Sequence, residues 1–234
     1  MSTEYSDKNV YGTESYRQYI ETQKYVLNEL YLQETEIIPL PDGYSLEITL
    51  YADADAHTEM QKCTLMQSGK EVFSYLCNYD HPGVFKTFIH HRNGHRYYPF
   101  HVDLYGISYL DLDTLAVFHY IPEGYSHDPQ YPCGESFIIT AIHYDANTNL
   151  IAYGGCYWAC PSGVTVCDFS DPLHVHPALL DIREIVDPDE DGYGIDFKAW
   201  RDGQLVVTVG KHSEVSVPAA EIMRRLRTDE TDKI

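Results

Sequence analysis

The chain has 234 residues, 44% of them apolar, enough to close a sizeable core without disulfide staples. Its 36 acidic against 16 basic residues leave a formal charge of −20; such a field repels phosphate backbones and anionic headgroups and argues against nucleic-acid and membrane-surface roles. Six cysteines are too sparse for a disulfide framework, and the opening MSTEYSDKNV has no basic region followed by an apolar run, so a cytoplasmic location is expected.

Along the chain, Tyr16, Ile20, Leu27 and Leu30 recur near helical spacing, with Thr13 or Ser15 as N-cap. They predict one amphipathic helix between residues 15 and 33, although Tyr25-Val26-Leu27 and Leu30-Tyr31-Leu32 fit strand equally well. Pro39-Leu40-Pro41-Asp42-Gly43 is a turn that closes this segment and divides residues 1–43 from a single β-domain over 44–234. Residues 45–51, 63–66 and 71–77 read as strands, with Gln67-Ser68-Gly69-Lys70 as a hairpin turn, and Asp53, Asp55 and His57 form an acidic turn. Twenty-one tyrosines favour strands and wet contact surfaces. Asp80-His81-Pro82-Gly83 punctuates before a strand over 84–90. Asn93-Gly94 is the strongest hairpin signal in the chain, and His90, His91 and His95 around it read as solvated. His101 and Asp103 share a face of an extended segment. Residues 137–143 form a nearly continuous apolar run, residues 195–200 alternate, and residues 219–227, after Ser216 and Pro218, read as a short C-terminal helix.

A repeat runs through the β region. Gly106-Ile107-Ser108-Tyr109-Leu110 aligns with Gly163-Val164-Thr165-Val166-Cys167 in its glycine and apolar positions, and each strand carries an aspartate near its end. Turns at Asn93-Gly94, Asn147-Thr148-Asn149 and Asp202-Gly203 each follow a candidate strand. At fold level this pattern over residues 84–210 resembles the blades of β-propellers, and residues 106–114 are similar to the third strand of WD-type repeats. Between the two short terminal helices, the resemblance implies an all-β, antiparallel repeat meander, propeller-like with three or four blade-like units; a curled meander or a sandwich satisfies the same pattern.

The most chemically loaded stretch is IAYGGCYWACPSGVTVCD, residues 151–168. Pro161 and Gly163 suit a three-residue loop that places Cys160 opposite Val164, Tyr157 opposite Cys167 and Cys156 opposite Asp168. Extended backbone then holds Cys156 and Cys160 about 13 Å apart, too far for a disulfide or a shared zinc, with Cys167 on the other face. Tyr157 and Trp158 point to opposite faces, so one packs inward and the other meets solvent or a partner. With Tyr105 and Trp200 they are the candidate binding residues.

Asp187-Pro188-Asp189-Glu190-Asp191-Gly192 offers oxygens at alternate positions before a glycine, a pattern that suits calcium. It is similar to the calcium loops of integrin-type propeller repeats, which implies Asp187, Asp189, Asp191 and Asp196 as ligands. No Walker loop, dinucleotide-binding glycine pattern, G-x-S-x-G elbow or H-E-x-x-H is present. The expectation is therefore a non-enzymatic binding module whose partner is another protein. The alternative is an enzyme whose metal or thiol centre draws on Cys156, Cys160, His143, His174 and His176, or on Cys133 with His127 or His143.

Overall fold

The structure, a computed structural model, describes residues 9–78, 83–122, 136–173, 179–186, 194–211 and 213–231. These residues are mostly β, arranged as four antiparallel sheets with two short helices. The first sheet holds β1 (Leu32–Pro39), β2 (Tyr44–Asp53), β3 (Thr58–Gln67) and β4 (Lys70–Cys77). The second holds β5 (Ile89–His90), β6 (Arg96–Phe100), β7 (Ile107–Asp111) and β8 (Val117–Tyr120). The third holds β9 (Ile138–Asp145), β10 (Leu150–Cys156), β11 (Ser162–Asp168) and β12 (Leu180–Asp181), and the fourth β13 (Ile195–Arg201), β14 (Gln204–Val209) and β15 (Ser213–Pro218). Within every sheet the strands pair with their chain neighbours. Helix α1 (Glu14–Gln23) precedes the array and α2 (Ala219–Thr231) follows it.

Turn chemistry sets these meanders. Ser68-Gly69 (φ 51° and 77°) and Asp202-Gly203 (φ 51° and 70°) are two-residue loops with both centres left-handed, which matches the twist of the flanking strands. A second device occurs three times. Asp53, Asp111 and Asp145 end their strands and accept the backbone N–H groups two and three residues on, at 2.9–3.3 Å. The fifth residue of each loop, His57, Leu115 or Asn149, then takes positive φ and turns the chain back.

The sheets stack face to face in chain order. Leu46, Ile48, Cys63 and Leu65 of the first sheet pack on Tyr98, Phe100, Leu110 and Leu112. Tyr97, Ile107 and Tyr109, on the other side of the second sheet, pack on Ile139, Ile151, Tyr153 and Cys167. Leu150, Ala152, Val164 and Val166 then meet Ile195, Leu205, Val207 and Val217, with Ile222 and Leu226 of α2 in the same layer. Four sheets thus share three interfaces, and the array is open among the described residues. Strands with apolar side chains on both faces, β7 above all, are buried along their whole length.

Three expectations are corrected. The predicted N-terminal helix stops at Gln23; a 3-10 turn over Lys24–Val26 follows, Asn28 caps a second turn by accepting Leu30 N–H, and Leu30 is left 89% exposed instead of on an inner helix face. Residues 32–39 form β1, which pairs with β2 across the 43/44 division. Of the strand expected over 84–90, only Ile89–His90 pairs. No helix among the described residues is long and apolar enough to cross a membrane.

Cross-sheet bonds define two ends of the stack. At one, the Arg96–Asp42 ion pair (3.6 Å), the His91 Nε2 bond to the Phe169 carbonyl (2.9 Å) and the Trp200 Nε1 bond to the His143 carbonyl (2.9 Å) join short turns. The other holds Asn78, whose N–H reaches the Val102 carbonyl (3.2 Å), the segment 101–106, the loop 157–161, and Gly194 against Ser162.

Candidate functional site

The β10–β11 hairpin was expected to turn at Pro161-Ser162-Gly163. Instead, Gly155 pairs with Gly163 and Cys156 with Ser162, so residues 157–161 form a five-residue loop. Packing overrides the proline–glycine signal. Gly163 lies under Phe137, and Gly155 sits where a Cβ would stand 1.9 Å from the Ile138 carbonyl oxygen, at a bulge against β9. The left-handed turn position falls to Ala159 (φ 58°), and Cys160 N–H closes the loop on the Tyr157 carbonyl at 2.9 Å.

This loop separates its two aromatics. Tyr157 is buried against Phe137, ring centroids 5.3 Å apart, with the Arg183 guanidinium 4.9 Å from its ring centre. Arg183 forks onto Asp181 at 2.6–3.1 Å, and Tyr157 Oη donates to the same carboxylate at 3.4 Å. Burial, then the adjacent Asp181 charge, pushes the Tyr157 hydroxyl well above its usual range. Trp158 has no such cradle and stands 61% exposed at the loop tip. Tyr105, half-buried beside Gly106, lies at this same end of the stack. Trp200 lies at the opposite end, half-buried, its indole N–H held by His143.

The thiols do not converge among the described residues. Cys156 is half-buried, Cys160 exposed and Cys167 buried, with burial pushing the Cys167 thiol up to about 12. Cys167 Sγ donates to Tyr153 Oη at 3.6 Å, and Tyr153 bonds Tyr109 at 2.6 Å, a neutral seam between the second and third sheets. His143 lies flat on Phe197, ring centroids 3.7 Å apart, and burial lowers its pKa. Cys133, His127, His174 and His176 lie outside the described residues, as do Asp187, Asp189 and Asp191 of the calcium pattern. Asp196 is an exposed residue of β13.

The histidines read as solvated are not all so. His91 is buried; its Nε2–H donates to the Phe169 carbonyl and its Nδ1 accepts Asn93 N–H at 3.2 Å. His95 Nδ1 reaches Asp111 Oδ2 at 2.6 Å, and His95, Asp111 and Asp113 cluster within 4.8 Å. Turn amides occupy the other Asp111 oxygen, while Arg96 takes both oxygens of Asp113 through its N–H and guanidinium. With every carboxylate oxygen engaged, this is a clasp that ties one turn to the next.

Two polar contacts, one buried and one half-buried, had no signal in spacing. Tyr16 Oη donates to buried Asp103 at 3.0 Å, tying α1 to the second sheet. Ser108 Oγ and His119 Nδ1 lie 2.8 Å apart across the β7–β8 ladder, beneath Tyr11, whose ring stacks on His119 at 4.1 Å. Burial pushes His119 down to about 4, so its imidazole is neutral near pH 7.

No family model matches the chain, and no curated protein matches it. Among solved structures it is similar to an acylaminoacyl peptidase in complex with Z-Gly-Gly-Phe-chloromethyl ketone (9% identity, TM-score 0.39, covering 80% of this chain and 32% of that one). It is similar also to the Pyrococcus horikoshii acylaminoacyl peptidase (8%, 0.39, 83% and 33%) and to an endo-arabinase from Bacteroides thetaiotaomicron (10%, 0.35, 82% and 77%). The chain spans about a third of the length of either peptidase. At these TM-scores the likenesses carry no inference about this chain.

Proposed function

We propose that the chain is a propeller-like stack of blade units, akin in plan to WD-type repeats, that serves as a non-enzymatic protein-interaction module. The observation that carries this reading is the division of labour in the loop 157–161. Tyr157 and the Asp181–Arg183 fork fix the loop from beneath, and Trp158 is left outward on a rigid support. Exposed aromatics with little conformational freedom to lose are the side chains that anchor interfaces. The charge of −20 favours a partner with a cationic rim.

The test places a photo-crosslinking residue at position 158 and, as control, at Leu115, which is 51% exposed at the opposite end. A protein captured at 158 alone, then purified and titrated, binds the Trp158→Ala variant at least about tenfold more weakly. Equal capture at both positions, or equal affinity for the variant, overturns the proposal.

A further inference from the structure

The first sheet carries a second surface of a different kind. β1 is its outermost strand, and no described segment pairs with its free side. Seven of its eight residues are exposed, and Ile38 is half-buried. In an antiparallel pair, alternate residues of an edge strand keep their N–H and C=O groups outward, a ready template for an added strand.

The register sorts the β1 side chains into two rows. Leu32, Thr35 and Ile37 stand with Tyr51, Thr49 and Glu47 on the outer face; the bulge between Leu32 and Glu34 brings Leu32 into this row. That face carries exposed apolar side chains for an edge: Ile37 is 64% and Leu32 46% exposed, and Leu30, two residues before Leu32, is exposed as well. The other row, Glu34, Glu36 and Ile38, borders a groove of about 390 Å³ that Leu50, Val84 and Lys86 also line. One face of an incoming strand thus meets the aliphatic side chains of Leu32 and Ile37, and the other meets the carboxylates of Glu34 and Glu36, which outnumber Lys86, the one cation among the described residues lining the groove.

We propose that β1 receives an extended segment of another protein in which basic residues alternate with β-branched or other apolar ones. The basic side chains lie over the groove beside Glu34 and Glu36, and the apolar ones continue the row of Leu32 and Ile37. Charge excludes a second copy of this chain, since β1 against β1 sets glutamates facing glutamates and like charges opposite one another destabilise a ladder. This proposal rests on reading the chain as an interaction module and names one of its partners by chemistry.

The probe is an eight-residue peptide alternating Lys and Val, with a Glu-and-Val peptide as its counterpart. Binding is measured by titration at low and high salt, and the site is located by amide hydrogen exchange on the full chain. The Lys-and-Val peptide slows exchange in residues 32–39. The double variant Glu34→Lys, Glu36→Lys binds it about tenfold more weakly and gains affinity for the Glu-and-Val peptide. Both substitutions are at exposed positions, and an unchanged melting curve verifies the fold. Protection elsewhere, equal binding by the double variant, or self-association of the chain through β1 overturns the proposal. Position 158 lies two sheets away and has no part in this contact. A failure at β1 therefore leaves the crosslinking result at position 158 standing, and the two failures are told apart by the site that does not respond.

Discussion

Gly155→Ala is a substitution that the β9–β10 ladder penalises directly. Its Cβ would lie 1.9 Å from the Ile138 carbonyl oxygen and 2.9 Å from a ring carbon of Phe137, whereas ordinary contact begins at 3.4 Å. Neither obstacle is the tip of a flexible side chain, so β9 and β10 must part by about 1.5 Å against a strand spacing of ~4.8 Å. The pairs Gly155–Ile139 and Cys156–Ile138 lie at that point. Overpacking costs about 1–3 kcal/mol, and one weakened ladder bond about 1 kcal/mol more, for a total near ~3 kcal/mol. Gly154→Ala is the matched control, because its Cβ meets only the Ala141 methyl at 3.3 Å; it costs less than ~1 kcal/mol. Urea titrations of both variants at 25 °C, followed by tryptophan fluorescence, separate the two values. The corresponding melting temperature of Gly155→Ala falls by roughly 6–12 °C. Equal stability of the two variants within about 0.5 kcal/mol would refute the argument that backbone contact sets the bulge.

Tyr157→Ala lowers stability by about 3 kcal/mol, read from urea midpoints, whereas Trp158→Ala changes it by less than about 0.5 kcal/mol; the reverse order would mean that the loop is oriented otherwise. His119 is held near 4, below its unfolded value of about 6.5, so the unfolded chain takes up a proton between these limits that the folded chain refuses. Stability therefore falls as pH drops through that window, by up to about 3 kcal/mol, and His119→Gln removes this part of the slope. An imidazole resonance of His119 titrating near 6.5 would contradict it. Among the described cysteines, a disulfide reagent modifies Cys160 first, and Cys63 and Cys167, held up to about 11 and about 12 by burial, only on unfolding. Peptide mapping after partial modification tests this, and early labelling of Cys167 counts against the buried seam.

Sequence showed best what turn chemistry dictates locally. Ser68-Gly69, Asn93-Gly94 and Asp202-Gly203 all fall between paired strands, since left-handed backbone restricts the choice of residue so strongly. The loops opened by Asp53, Asp111 and Asp145 escaped notice as a set because His57, Leu115 and Asn149, not glycine, take their strained positions. β1 was hidden because LQETEIIP lacks the clean alternation of a half-buried strand; an edge exposed on both faces has no inner side to mark. The hairpin at 157–161 was misread because Phe137 and Ile138, distant in sequence, decide where Gly155 and Gly163 can sit. The contacts Ser108–His119, Tyr109–Tyr153 and Tyr16–Asp103 follow from sheet topology, which no local pattern contains.

Because, among the described residues, each sheet packs on the one before and the one after, the sheets behave as a short one-dimensional lattice, with stability a sum of unit energies and nearest-neighbour couplings. The inner sheets have two couplings and the outer sheets one. Opening therefore starts from the first and fourth sheets and travels inward, and of the described residues the seam of Tyr109, Tyr153 and Cys167 is the last to let go.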